Sequence, residues 1–317
     1  SFFLHIPFPS PDLFRRLPWS KQLLVSLLAY DLVGFQTLRD HRNFIHCVTS
    51  LIKGVEILSR HRNHTVLRYG DRINKAGHFP ISIDFNDFAG RAGSEEVAKA
   101  AWYLHENYEQ RQLILGIDRL DYTKGIPERF LAFERTLEKY PDLRHQVSLL
   151  QIVVPSRTMV PDYIDLKSQL EQLAGRINGR FSQHGWVPLH YHFRSLDTVQ
   201  LLAHYRTAEI ALVTPLRDGM NLVAKEYCAC SIDNKGVLIL SKFAGAADQM
   251  GKHALLVNPY DIEKTADAIY QAFSMTQSER RRRMQLLRNQ IRRTDVHFWL
   301  ENFISALLSK PRMPTEQ

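Results

Sequence analysis

The chain has 317 residues, 44% hydrophobic and 23% charged, with 41 Lys+Arg against 33 Asp+Glu and a formal charge of +8. At roughly 150 residues per domain this is two domains or one large one, which excludes a disordered chain and a small disulfide-stapled scaffold. The positive charge leaves two partner classes open, a polyanion or phosphorylated small molecules. Three cysteines, Cys47, Cys228 and Cys230, are too few for a disulfide framework and point to a reducing, cytoplasmic setting. No apolar run is long enough to span a membrane. The chain opens without Met on Ser1-Phe2-Phe3-Leu4, with no basic stretch before it, which reads as a cut inside a domain.

In chain order, residues 2–6 read as a strand, 21–30 as a helix capped by Ser20, 32–36 as a strand and 39–53 as a helix. Strands over 66–69 and 78–83 and a helix over 94–109, capped by Ser94, complete an α/β region at 1–109 that starts on a strand and reads as incomplete. From 110 the pattern is regular. Short branched runs at 113–117, 147–154, 187–193, 209–214, 236–241 and 254–257 alternate with helical patterns at 127–139, 163–177, 196–205, 222–229, 245–251 and 261–275. That alternation predicts βαβ units on a parallel sheet covered on both faces, a Rossmann-like domain over 110–294. The amphipathic segment 295–308 predicts a helix that packs back on the first domain.

Ligands of such sheets bind at the carboxyl ends of the strands, so the loops there carry the candidate chemistry. After the strand at 113–117 comes Gly116-Ile-Asp-Arg-Leu-Asp-Tyr-Thr-Lys-Gly125, where Arg119 and Lys124 could neutralise a diphosphate. The alternative is that both cations pair with Asp118 and Asp121. After 209–214 comes Thr214-Pro-Leu-Arg-Asp-Gly-Met-Asn-Leu-Val-Ala-Lys-Glu226. Here Gly219 allows a tight turn after Asp218, next to Met220. The N–H groups of Asn221, Leu222 and Val223 would open a helix as an anion site, with Glu226 one turn further in to accept from ribose hydroxyls. The alternative is a capped helix with an ion-paired Glu226.

Three weaker loops follow the same logic: Ser241–Ala247, rich in small residues; Pro155-Ser156-Arg157, with Arg157 as a phosphate anchor; and His5 before the proline-rich 7–11, either a proton shuttle or a satisfied core histidine. His190 and His192 share a strand face but lack a third ligand at a telling spacing. Cys228 and Cys230 read as small core residues. The basic run Arg280–Arg283, with Arg288, Arg292 and Arg293, reads as a solvated helix face rather than a nucleic-acid site.

Taken together, His-Ile-Pro-Phe-Pro-Ser-Pro at 5–11, Gly-Ile-Asp-Arg-Leu-Asp-Tyr-Thr-Lys-Gly-Ile at 116–126, Ala-Gly-Arg-Ile-Asn-Gly at 174–179, Thr-Pro-Leu-Arg-Asp-Gly-Met-Asn-Leu-Val-Ala-Lys-Glu-Tyr at 214–227 and Phe-Ala-Gly-Ala-Ala at 243–247 resemble the trehalose-6-phosphate synthase family. The resemblance runs from Phe2 to about Leu308. It implies the GT-B fold, two Rossmann-like domains with parallel sheets, the first one incomplete here because the family's segment ahead of Phe2 is missing. It further implies a retaining glucosyltransferase that moves glucose from a nucleotide sugar, usually UDP-glucose, to glucose 6-phosphate, without metal or cofactor.

By the same resemblance, Arg119 and Lys124 match the pair on the donor diphosphate, and Asp218 the carboxylate at the donor glucose. The amides around Asn221, Leu222 and Val223 match those holding glucose and phosphate. Glu226 matches the ribose binder, His5 the histidine near the glucose 6-hydroxyl and Arg157 the arginine at the acceptor phosphate. Two alternatives stay open: transfer to glycerol 3-phosphate, and a truncated, non-catalytic nucleotide-sugar-binding module. No nucleic-acid or membrane partner is expected; the oligomeric state is open, a homo-oligomer being one option.

Overall fold

The computed structural model describes residues 1–108, 111–156 and 160–309. The chain divides into two compact units, Ser1–Ser82 with Thr294–Gln317, and Ile83–Arg293.

The first unit is a five-stranded sheet of order β1-β2-β5-β4-β3. β1 (Phe2–Phe3), β2 (Leu32–Phe35) and β5 (Arg72–His78) run parallel, with Phe2 opposite Val33 and Val33 opposite Ala76. β3 (Val55–Arg60) and β4 (His64–Tyr69) extend β5 as an antiparallel meander. Short helices α1 (Pro11–Phe14) and α2 (Ser20–Leu28) precede β2. Helix α3 (Leu38–Leu51) starts at Thr37, whose hydroxyl oxygen accepts from Asp40 N–H at 3.1 Å, and buries Phe44, Ile45 and Val48 on the sheet. The proline-rich segment is pinned to α3: Phe8 N–H donates to Asp40 Oδ1 at 3.1 Å, and the Phe8 ring meets Phe14, Phe35 and Phe44 with centroids 5.0–5.6 Å apart.

The last helix, α13 (Val296–Leu308), is capped by Asp295 and belongs to this unit. Trp299 and Phe303 pack edge-on against Phe3, and Trp299 Nε1–H donates to the Phe79 carbonyl at 3.1 Å. Gly34 makes room for them, since a Cβ there would lie 2.6 Å from the Phe3 ring and 2.8 Å from Phe303. Lys75 is 5% exposed, and its ammonium donates to the carbonyls of Ala306 (2.6 Å) and Leu307 (3.3 Å), closing the helix's C-terminus with a cation.

The second unit opens with α4 (Phe85–Ala92) and α5 (Glu95–Asn107), the latter capped by Ser94. Then β6 (Gln112–Arg119), β7 (Val147–Val154), β8 (Leu189–Phe193), β9 (Ile210–Val213), β10 (Val237–Ser241) and β11 (Leu255–Val257) form a wholly parallel sheet of order β11-β10-β9-β6-β7-β8. The interleaved helices are α6 (Ile126–Lys139), α7 (Pro161–Phe181), α8 (Thr198–Thr207), α9 (Leu222–Cys230), α10 (Ala247–Met250) and α11 (Ile262–Ser274), followed by α12 (Gln277–Arg293). Strand order reverses between β6 and β9, the switch point of a doubly wound sheet. β6, β7, β9 and β10 are buried along almost their whole length, which is why they read as unbroken apolar runs.

Several sequence expectations shift. The boundary expected at 109/110 lies at 82/83. The reason is packing: α5 lies on α8 and α4 on α9, with Arg206 donating to the Ala92 carbonyl (2.8 Å) and Thr207 to the Ala101 carbonyl (3.2 Å). No strand forms over 79–83, where one was expected from 78; the strand there is β5, which ends at His78, and β5, β3 and α4 were not anticipated. Ser20 is the first helical residue rather than a cap. The basic run on α12 is not simply a solvated face. Arg280, 6% exposed, donates to the last carbonyls of α11, at Ala272 (2.7 Å) and Phe273 (3.0 Å). Arg288 donates to the Cys228 carbonyl at the end of α9 (3.0 Å) and stacks on Phe85. Arg282 and Arg283 pair with Glu279 at 2.8 and 2.7 Å.

Candidate active site

The loops after β6, β9 and β10 interlock at the switch point. Leu216 N–H donates to the Thr123 carbonyl at 2.8 Å, Gly245 N–H to the Asp218 carbonyl at 3.2 Å and Ala246 N–H to the Met220 carbonyl at 2.8 Å. Gly125 lets the first loop turn, with φ at +64° and a position where a Cβ would collide with the Thr214 carbonyl oxygen. The backbone therefore sets the relative placement of the residues that follow.

Lys124 Nζ donates to Asp218 Oδ2 at 2.7 Å, and Asn221 Nδ2 donates to the same oxygen at 3.1 Å. Asp218 Oδ1 takes no hydrogen bond from the described residues. Arg119, at the end of β6, is exposed and has no ion-pair partner among the described residues. The pairing of Arg119 and Lys124 with Asp118 and Asp121, weighed as an alternative, does not occur. Asp121 Oδ1 instead accepts from Thr123 N–H (2.8 Å) and Oγ1–H (2.7 Å), and Asp118 is engaged below the site.

Asn221 sits at φ +72° and caps α9, its Oδ1 accepting from Ala224 N–H at 3.3 Å. Leu222 and Val223 follow as the first helical residues, whose N–H groups have no intrahelical acceptor and face the positive end of the dipole. Gly219 and Met220 are buried in the turn ahead of them. Glu226 is not ion-paired among the described residues; its Oε2 accepts from Tyr205 O–H at 2.8 Å, and burial raises its pKa against that bond. His5 lies in the first unit, exposed, its ring 5.1 Å from Phe3, so the core-histidine alternative does not hold. Arg157 lies outside the described residues.

Sequence reasoning missed the layer beneath. Arg129 of α6, 1% exposed, donates from Nη1 to Asp118 Oδ2 (2.5 Å) and Gln151 Oε1 (2.7 Å). From Nε it donates to Thr214 Oγ1 (3.1 Å), and from Nη2 to the Lys124 carbonyl (3.4 Å). One guanidinium so ties the carboxyl ends of β6, β7 and β9 to the loop that carries Lys124. Burial raises the Asp118 pKa, and the charge of Arg129 opposes that rise. Gly116 leaves space for the network, since a Cβ there would lie 2.6 Å from Arg129 Nη1. The available signal was a charged residue on the stripe Ile126–Phe130–Phe133–Leu137, opposite a lone glutamine in the apolar strand at 147–154. Lys225 was missed as well. It is 1% exposed, donates to Gln249 Oε1 of α10 at 2.7 Å, and burial pulls its pKa down to about 7.

Among the described residues no group of three His, Cys, Asp or Glu side chains is placed to hold a metal ion, and no helix is long and apolar enough to cross a membrane. The three cysteines are buried and unpaired, and burial pushes the Cys47 thiol up to about 11 and Cys230 up to about 12.

Residues 1–309 match the model of glycosyltransferase family 20. The chain is 44% identical over 306 residues to alpha,alpha-trehalose-phosphate synthase [UDP-forming] 1 of Arabidopsis thaliana, covering 96% of this chain and 32% of that protein. It is 42% identical to an E. coli structure described as trehalose-6-phosphate bound with UDP-2-fluoro glucose, with a TM-score of 0.90, covering 98% of this chain and 68% of that one. A Burkholderia xenovorans alpha,alpha-trehalose-phosphate synthase (UDP-forming) in complex with glucose-6-phosphate is 40% identical, with a TM-score of 0.91, covering 96% of this chain and 67% of that one. The chain thus spans about a third of the plant relative and about two thirds of each solved structure.

Proposed function

The chain belongs to glycosyltransferase family 20 and has the GT-B fold, and from that premise we propose that it serves a retaining glucosyltransferase making trehalose 6-phosphate from UDP-glucose and glucose 6-phosphate. The observation that carries the reading is the Lys124–Asp218 pair beside the Asn221 cap of α9 at the switch point of the second sheet, with Arg119 exposed at the end of β6. Relatives of the same fold hold a UDP-glucose analogue and glucose 6-phosphate, which supports the choice of substrates.

In the proposed reaction the bond between the glucose anomeric carbon and the UDP oxygen breaks, and charge builds on the departing diphosphate. Arg119 and Lys124 take that charge together with the amides of Leu222 and Val223, in place of a divalent metal. Lys124 leaves Asp218 for the diphosphate when donor binds, which frees the carboxylate for the sugar hydroxyls. The acceptor hydroxyl attacks the face the diphosphate leaves, and its proton passes to the departing phosphate oxygen. Glu226, already holding Tyr205 O–H, receives the ribose hydroxyls on its remaining acceptor positions. The roles of His5 at the glucose 6-hydroxyl and of Arg157 at the acceptor phosphate rest on the family resemblance alone. A cytoplasmic, reducing setting belongs to the same proposal and suits three buried thiols.

The test is calorimetric titration of the chain with UDP and UDP-glucose in the presence of a chelator, followed by transfer assays to glucose 6-phosphate and glycerol 3-phosphate. Binding with transfer to glucose 6-phosphate is expected. Absence of UDP binding overturns the donor-site assignment. Transfer only to glycerol 3-phosphate replaces the acceptor, and binding without transfer makes the chain a nucleotide-sugar-binding module.

A further inference from the structure

A cavity of about 480 Å³ opens in the first unit between α3 and the β3–β4 hairpin. Its helix wall is one stripe of α3, Leu38, His41, Arg42, Ile45, His46 and Thr49, at helical spacing. Its strand wall is made by a β-bulge. Pairing passes from Ile57–Leu67 to Ser59–Val66, so β3 carries one extra residue. Ile57 and Arg60, three apart, would face opposite sides of a regular strand, yet both line the cavity, with Thr65 opposite Arg60.

The lining contains three arginines (Arg42, Arg60 and Arg62), three histidines and no carboxylate. The three arginines are exposed and have no ion-pair partner among the described residues. Nearby arginines of the same sheet do find partners: Arg68 pairs with Glu56 at 2.5 Å and Arg72 with Asp31 at 3.5 Å. His41 is only 6% exposed, and neither ring nitrogen has a hydrogen-bond partner. A buried polar group without a partner costs stability unless something completes it. Burial first, then the charges of His78, Arg60, His64 and Arg42, hold the His41 pKa down to about 4, so its ring is neutral near pH 7 and offers one N–H.

We propose that this groove is a second anion site, for a small phosphorylated molecule carrying at least two negative charges. Its phosphate groups sit among Arg42, Arg60 and Arg62, whose planar donor forks match phosphate oxygens. A turn of the His41 ring, whose nitrogens are sealed from solvent, brings its N–H to the ligand at the floor, and Leu38, Ile45 and Ile57 take the apolar part. The site is built wholly from residues 38–65 and shares none with the candidate active site.

Inorganic pyrophosphate is the probe, titrated by calorimetry into an Arg119→Ala/Lys124→Ala background that removes the donor-side cations. Saturable binding at one equivalent is expected. Adding Arg60→Glu and Arg62→Glu weakens it at least tenfold, and Arg60→Gln with Arg62→Gln weakens it in the same direction without reversing charge. These positions are exposed, so unchanged thermal unfolding accompanies the loss. His41→Phe weakens binding several-fold with the arginines in place. Binding weaker than about 1 mM, binding indifferent to Arg60 and Arg62, or non-saturating uptake equal for sulfate overturns the proposal.

Discussion

Lys124 Nζ stands 2.7 Å from Asp218 Oδ2, joining the loop after β6 to the loop after β9 by a pair whose side chains are each 16% exposed. In the proposed reaction the diphosphate draws Lys124 away from this pair.

The two residues should therefore be coupled in catalysis. Lys124→Ala is expected to lower turnover by about 10²–10³-fold, the worth of one donor at a developing oxyanion. Asp218→Ala lowers it too, by losing the proposed contact with the donor sugar. The double variant loses less than the sum, with a coupling of about 0.5–3 kcal/mol, as for residues in direct contact. Steady-state rates for the four proteins check this; strictly additive losses exclude the exchange of partners.

Arg129 should act on stability as well as on the site. It is fully desolvated beside Asp118, and Arg129→Met leaves that carboxylate buried without a counter-charge, a loss of about 3–5 kcal/mol. Adding Asp118→Leu restores most of it, since two apolar groups of similar shape avoid the orphaned charge. Urea unfolding of the two variants decides. A double variant as unstable as the single one would falsify the account.

The second unit was largely legible in the sequence because burial on both faces writes its strands as unbroken apolar runs, as at 147–154. The position of both loops directly after strands, and the tight turn expected at Gly219, likewise marked where Lys124 and Asp218 lie. The first unit was harder. β3 is a half-buried edge strand with a bulge, so Val55–Arg60 shows neither clean alternation nor a continuous apolar run. Helix α4 has only eight residues and contains Gly90, too short for its period to emerge. The partners of Asp118 lay 11 and 33 positions away in sequence, at Arg129 and Gln151, and no local pattern links them. Arg288 reads as one more cation of a basic run, but its role comes from carbonyls about 60 positions distant.

Lys225 should make stability depend on pH above neutrality. Burial lowers its folded pKa to about 7 from an ordinary 10.5. Between those values the unfolded chain holds a proton that the folded chain has released. Unfolding free energy therefore rises with pH across this window, and the contribution is lost as pH falls through about 7. Lys225→Met removes the titration, so chemical denaturation at pH 6.5 and 9.5 (roughly the ends of the window) should show a smaller rise than in the wild type. An unchanged rise places the titration elsewhere.

Lys75 and Gly34 should control the last helix from opposite ends of its contact with the first sheet. The Lys75 ammonium takes the final carbonyls of α13, while Gly34 gives Phe303 its seat. Lys75→Met removes the cation that satisfies those carbonyls, and burial already lowers the pKa of this lysine, so alkaline conditions act in the same direction. The helix end should then exchange its amide hydrogens faster, while β2 and β5 stay protected. Gly34→Ala places a methyl within 3 Å of two rings, which displaces Phe3 or Phe303 and costs about 1–3 kcal/mol by overpacking. Its exchange signature differs: protection falls along the Trp299–Phe303 turn rather than at the C-terminus. Hydrogen exchange resolved by peptide separates the two patterns, and equal loss over the whole helix in both variants argues against two independent anchors.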